Sequence, residues 1–168
     1  RAGIPAIWFQ HNIPAWSHGL DLLAALTPAA RILANSELTA RAQRGINPRR
    51  IPIEVVRPGT RLPESPREER RARGRTALGL GDGHFVAAQV ARLVPGKGPP
   101  TFLAAAQSLC NARADVRIVV AGAALFDGEA GYTEALRRQA ADLGIADRVL
   151  FVGGEVDASL VLGAANGA

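Results

Sequence analysis

The chain of 168 residues is predicted to be an α/β protein carrying two partial parallel sheets, and three observations support this. Short apolar runs alternate along the chain with segments whose apolar residues recur at helical spacing. The short runs are apolar throughout, as in parallel strands covered on both faces, and do not alternate with polar residues. Midway, from about Thr60 to Ser65, a stretch with two prolines and little apolar material reads as a linker between two folded units.

The elements follow in order. PAIWFQHN reads as a buried strand that stops at the polar pair His11 and Asn12. The next segment, about Ser17 to Leu26, has helical spacing, with Ser17 as its candidate N-cap and Pro28 beyond its end. ARILANS is a second buried strand, and Ser36 is placed to cap the helix SELTARAQRG, which Gly45 stops. IPIEVVRPGT is a third strand running into a Pro-Gly turn.

Beyond the linker the same grammar resumes. REERRARGR, Arg67 to Arg75, mixes signs at helical spacing and reads as a solvated helix that ends at ALGLG. HFVAAQVARL is a strand, VPGKG a loop, PPTFLAAAQSLCNA a helix and DVRIVVAG a strand. The helix GYTEALRRQAADLGI, the strand DRVLFVGG and a helical start at VDASLVLGAAN complete the series.

Composition narrows the functional classes. Apolar residues make up 48% and charged residues 21%, as in globular proteins. The single cysteine, Cys110, rules out an internal disulfide and fits a reducing compartment, with the cytoplasm as the expected location. No apolar run approaches the roughly 20 residues of a membrane span, and no signal-peptide pattern opens the chain. The net charge of +5 is scattered among acids, which argues against nucleic acid as a partner. His18 and His84 have no partners at metal-ligand spacing, so no metal site is expected. The chain opens on Arg1 and contains no methionine, so it is expected to be an internal fragment, inactive by itself.

In open parallel sheets ligands gather at the carboxyl ends of strands. VPGKG lies at such an end and leads into a helix whose first turn holds Pro99 and Pro100; the remaining N–H groups and the helix dipole there favour an anion. A Walker loop fails, because Ala91 stands at its first glycine and Gly98 at its hydroxyl position. GLGDG resembles a dinucleotide fingerprint, but it precedes its strand, so its glycines are read as a helix stop and a turn. What remains is Arg92 at the strand end and Lys97, the only lysine beside nineteen arginines. A planar fork and a compact ammonium grip phosphate oxygens differently. Composition alone leaves two accounts of Lys97 open: half of an anion-gripping pair, or an incidental lysine on a surface loop.

RLVPGKG, set between a strand and a helix, resembles the Gly-Arg-Leu…Lys-Gly segment of family 4 glycosyltransferases (glycosyl transferases group 1), whose GT-B fold has two Rossmann-like domains facing across a cleft. LANSELTAR, EVVRPGTRLP, ALGLGDGHFVAAQVARL, DVRIVVAG and ADLGIADRVLFVGGEVD are similar to family segments in the same order. The resemblance implies two partial Rossmann-like domains of GT-B type, truncated at both ends. Residues 1–58 would close the N-terminal, acceptor-side domain, 59–75 would link and begin a helix, and 76–168 would open the donor-binding domain. It implies a nucleotide-sugar donor whose diphosphate is gripped by Arg92 and Lys97, and transfer of a sugar to an unidentified sugar, lipid or small-molecule acceptor. Retention of anomeric configuration is implied, with no metal and no cofactor, the nucleotide-sugar being a substrate.

By the same resemblance Gly122 lies near the donor and Gly154 and Val156 near the nucleotide base, while His11 serves as a catalytic-site histidine close to the acceptor and the reacting sugar. Gly122 equally reads as a strand end, Gly154 and Val156 as an ordinary strand-to-helix turn, and His11 as a satisfied polar residue. A lipid acceptor would allow peripheral contact at the inner face of the membrane. Three departures stand out: Ala91 in place of a glycine, Pro58-Gly59 in place of Asn-Gly, and no pair of glutamates separated by seven residues. The alternative is a non-catalytic α/β module that binds a nucleotide or a sugar phosphate.

Overall fold

The structure, a computed structural model, describes residues 4–15, 19–60, 63–123 and 130–166. The chain divides into two compact units, Arg1–Leu62 and Pro63–Ala168.

In the first unit β1 (Ile7–Gln10), β2 (Arg31–Ala34) and β3 (Ile53–Val55) form a parallel sheet in the order β1-β2-β3. Helices α1 (Gly19–Ala25) and α2 (Glu37–Gly45) connect them. Ser36 caps α2 as its sequence predicts, its hydroxyl accepting from the Thr39 N–H at 3.1 Å. Ser17, the candidate cap of α1, lies outside the described residues. The expectation of a buried first strand is corrected: Ile7 is 63% exposed and Phe9 37%. Among the described residues β1 lies at the sheet edge with β2 as its one neighbour, so its apolar residues lack the covering that an apolar run implies. The core here is small, formed by Ile32, Ala34, Ala40, Ile46 and Ile51 with the buried side chains of Gln10, Thr39 and Gln43.

The second unit begins with α3 (Arg67–Leu78), followed by β4 (Phe85–Val90), α4 (Pro99–Ala112), β5 (Val116–Ala121), α5 (Ala130–Asp142), β6 (Val149–Val152) and α6 (Ala158–Ala164). Gly79 ends α3 in the left-handed conformation, φ 65°. The sheet is parallel in the order β4-β5-β6 and has two different faces. Val116, Ile118 and Val120 pack with Leu103, Ala106 and Leu136 of α4 and α5. Val119 and Ala121, pointing the other way, join Val86 and Val161, with Leu78 at the margin. Alternate residues of this strand thus serve two helical layers, which is why VRIVVA is apolar at every position except Arg117.

The charged helix α3 is solvated only along part of its length. Two residues near its end are buried: Arg75 is 1% exposed, and Gly74 sits where a Cβ would meet Leu160 and Ala164 of α6. Among the described residues no helix is long and apolar enough to cross a membrane.

Candidate functional site

The register of the second sheet sets Val90, Ala121 and Val152 side by side. The next residues of each strand, Ala91, Gly122 and Gly153, therefore line one rim at the carboxyl ends of all three strands. Over that rim lies a cavity of about 290 Å³, lined by these residues with Arg92, Ala123, Gly154, Val156 and Ala158 among others. Its walls are almost wholly small and apolar. Arg92 is the one charged side chain among the described residues that line it. Such a slot suits a flat or aliphatic portion of a ligand, with a cation at the edge for an anionic portion.

Gly122 is required by the backbone whether or not a ligand is present. Its φ is 147°, and a Cβ there would collide with the Ala91 carbonyl oxygen, so only glycine lets the ends of β4 and β5 approach this closely. Of the residues singled out from sequence, Arg92, Gly122, Gly154 and Val156 come together around this cavity.

Lys97 is not among the lining residues. It ends a single 3-10 turn, Pro95–Lys97, between β4 and α4. The turn consumes its own backbone donors: the Lys97 N–H bonds Val94 O and the Gly98 N–H bonds Pro95 O, each at 3.0 Å. Pro99 and Pro100 contribute no N–H, and the helical bond from Phe102 to Gly98 has already formed. Thr101 alone keeps a first-turn N–H outside that pattern, so the expected set of free donors at this helix start shrinks to one. Any anion at this corner must rely on side-chain cations beyond that single N–H. Arg92 and Lys97 have no acidic partner among the described residues, which leaves both free to take an external anion.

Two amides missed in the sequence hold the backbone beside the singled-out residues. Gln89 Nε2, on β4, donates to the Lys97 carbonyl at 2.9 Å. In the first unit, Asn35 Nδ2 donates to the His11 carbonyl at 2.8 Å, and Asn35 Oδ1 accepts from the Thr39 hydroxyl at 2.8 Å. His11 is exposed just past the end of β1, its ring set edgewise to Phe9 with centroids 4.4 Å apart. The available signal for Gln89 was a lone polar residue in an otherwise apolar strand. The only signal for Asn35 was its place beside a capping serine.

Two parallel sheets, one with a glycine-lined cavity at the carboxyl ends of its strands, define an α/β protein built from two Rossmann-like units. The model of Glycosyl transferases group 1 matches residues 71–163, and the chain belongs to that family. Over 100 residues it is 42% identical to a D-inositol 3-phosphate glycosyltransferase of Mycobacterium ulcerans, covering 60% of this chain and 20% of the relative. Over 164 residues it is 29% identical to the protein of the same name from Segniliparus rotundus, covering 89% of this chain and 36% of the relative. The chain therefore spans about a third or less of the length of these relatives. Among solved structures it is similar to HepE of Anabaena in complex with UDP and glucose, with a TM-score of 0.75 and 26% identity, covering 96% of this chain and 44% of HepE. WaaG, a glycosyltransferase involved in lipopolysaccharide biosynthesis, has the same fold at a TM-score of 0.69 and 17% identity, with 97% of this chain and 50% of WaaG covered.

Proposed function

We propose that the whole protein is a nucleotide-sugar-dependent glycosyltransferase of the family 4 type, a hexosyltransferase that retains anomeric configuration. The observation that carries this reading is Arg92 lining an apolar slot at the carboxyl ends of β4, β5 and β6, with Lys97 five residues further on. The slot, with Gly122, Gly154 and Val156, receives the nucleoside, and the two cations receive the diphosphate. The likeness to HepE bound to UDP and glucose supports a nucleotide donor, and the relatives named D-inositol 3-phosphate glycosyltransferase support sugar transfer. His11 is assigned to the acceptor side, its backbone steadied by Asn35.

In the reaction the bond between the anomeric carbon and the diphosphate oxygen breaks while the acceptor hydroxyl oxygen bonds that carbon and gives its proton to the departing diphosphate. The electron pair of the broken bond stays on the diphosphate. Fixed cations stabilise charge as it develops there, and they do so without reorganising. A hydrogen bond to a charged group contributes about 1.5–3 kcal/mol, and about 1.4 kcal/mol is a factor of ten in rate. Replacing Lys97 with Ala in the whole protein is therefore expected to lower sugar transfer roughly ten- to a hundredfold. Turnover near the unmodified rate in that variant would defeat the donor-site reading.

A further inference from the structure

The structure assigns Gln89 as the positioning residue that sets Lys97 for its work at the diphosphate, an inference that rests on the donor-site reading above. β4 alternates its side chains between two layers. Val86 and Ala88 face the layer of α3 and α6, while Phe85 and Ala87 face that of α4 and α5. Gln89 continues the second set, where a hydrocarbon is expected. Its amide instead reaches the turn ahead of α4, Nε2 donating to the Lys97 carbonyl at 2.9 Å.

That bond is a special one for the turn. The left-handed Gly98 and the two prolines after it interrupt the backbone ladder into α4, and no backbone N–H among the described residues donates to the Lys97 carbonyl. Gln89 thus ties the lysine's own peptide to the strand that also delivers Arg92 three residues later. The other end of the amide tells the same story. Gln89 Oε1 is buried with no hydrogen-bond partner among the described residues, a cost that a leucine or methionine of similar volume would avoid. A polar side chain that leaves one of its own atoms unpaired is poorly suited to stabilising the fold. It is well suited to holding one peptide still.

Gln89→Met keeps the side-chain volume and removes both the donor and the orphaned acceptor. In the whole protein its thermal midpoint is expected to equal or exceed that of the unmodified protein, while sugar transfer falls roughly three- to tenfold. Gln89→Glu, which keeps the shape but cannot donate, should lose activity similarly. The decisive measurement is a cycle with Lys97→Ala: once the lysine side chain is gone, Gln89→Met should change the rate no further. If Lys97→Ala lowers transfer but Gln89→Met is harmless, or if the two losses multiply, the positioning role is overturned and the donor-site reading stands. If Lys97→Ala transfers sugar at the unmodified rate, both fall.

Discussion

Arg75 and Asn166 show how a charged surface run can contain a structural clamp. Arg75 leaves the last turn of α3 and donates to the carbonyls of Gly81, Asp82 and His84 and to Asn166 Oδ1. Burial lowers its pKa, as does the nearby charge of Arg71, while Asp82 opposes them. Asn166 then treats β4 as a neighbouring strand would. Its N–H donates to Val86 O at 2.9 Å and its Oδ1 accepts from the Val86 N–H at 2.8 Å, so the edge of β4 is paired at that point. Asn166→Leu would strip an acceptor from two donors at once, and its unfolding free energy is expected to drop by about 1–3 kcal/mol in urea. Asn166→Asp keeps the acceptor and sets a carboxylate beside Arg75, so its midpoint should stay close to the unmodified one. Equal losses in both variants would show that shape, not the accepted hydrogen bonds, is what matters at this position.

At the scale of elements, α6 combines a close crossing with a titratable cap. Gly163 faces Arg70 of α3, and Gly74 of α3 faces α6, so the two helices approach without side chains between their backbones. Asp157 caps α6, Oδ1 accepting from the Ser159 N–H at 2.8 Å. That bond holds the Asp157 carboxyl below its ordinary range, with help from the charge of Arg73. A depressed folded-state pKa means that the unfolded chain takes up the proton first as pH falls. The cap's stabilisation is therefore complete above the unfolded carboxyl value of about 4 and is lost as pH drops through the lower folded value. Comparing urea midpoints of the unmodified protein and Asp157→Ala should give a constant gap from neutral pH to about pH 5, narrowing below about pH 4; a gap that stays open in acid would exclude the carboxylate as the cap. How much could be read from sequence also sorts by locality. α4 runs from Pro99 to Ala112 as its two leading prolines suggest, and Ser36 and Gly79 mark helix ends through chemistry that is local to the chain. Arg92 was singled out because it ends a recognisable strand, whereas Gly122, Gly154 and Val156 were singled out through the resemblance to the family; all four line the same cavity. The burial of Arg75, the pairing of Asn166 with β4 and the exposure of β1 were not legible, because each depends on neighbours distant in sequence.

At the scale of the molecule the two units are built to different standards, and their stabilities should differ accordingly. Nine of the twelve exposed large hydrophobic residues among those described lie in the first unit, which holds only six of the twenty-one buried hydrophobic ones. The second unit has two packed layers and most of the core. Charge is divided just as unevenly. Residues 1–62 carry eight arginines against three acids, whereas residues 63–168 balance twelve basic side chains with twelve acidic ones. A small core with like charges around it is weakened from both sides, since burial stabilises at about 25 cal/mol per Å² and self-repulsion opposes compaction. Heating the 168-residue chain is therefore expected to give two transitions, the first with hydrogen exchange confined to the first unit. Raising ionic strength screens repulsion beyond a Debye length of about 10 Å at 0.1 M. Salt should accordingly raise the first midpoint and leave the second nearly unmoved. One cooperative transition, or amide protection lost first in β4 to β6, would mean that neither the distribution of core residues nor that of charge governs how this chain comes apart.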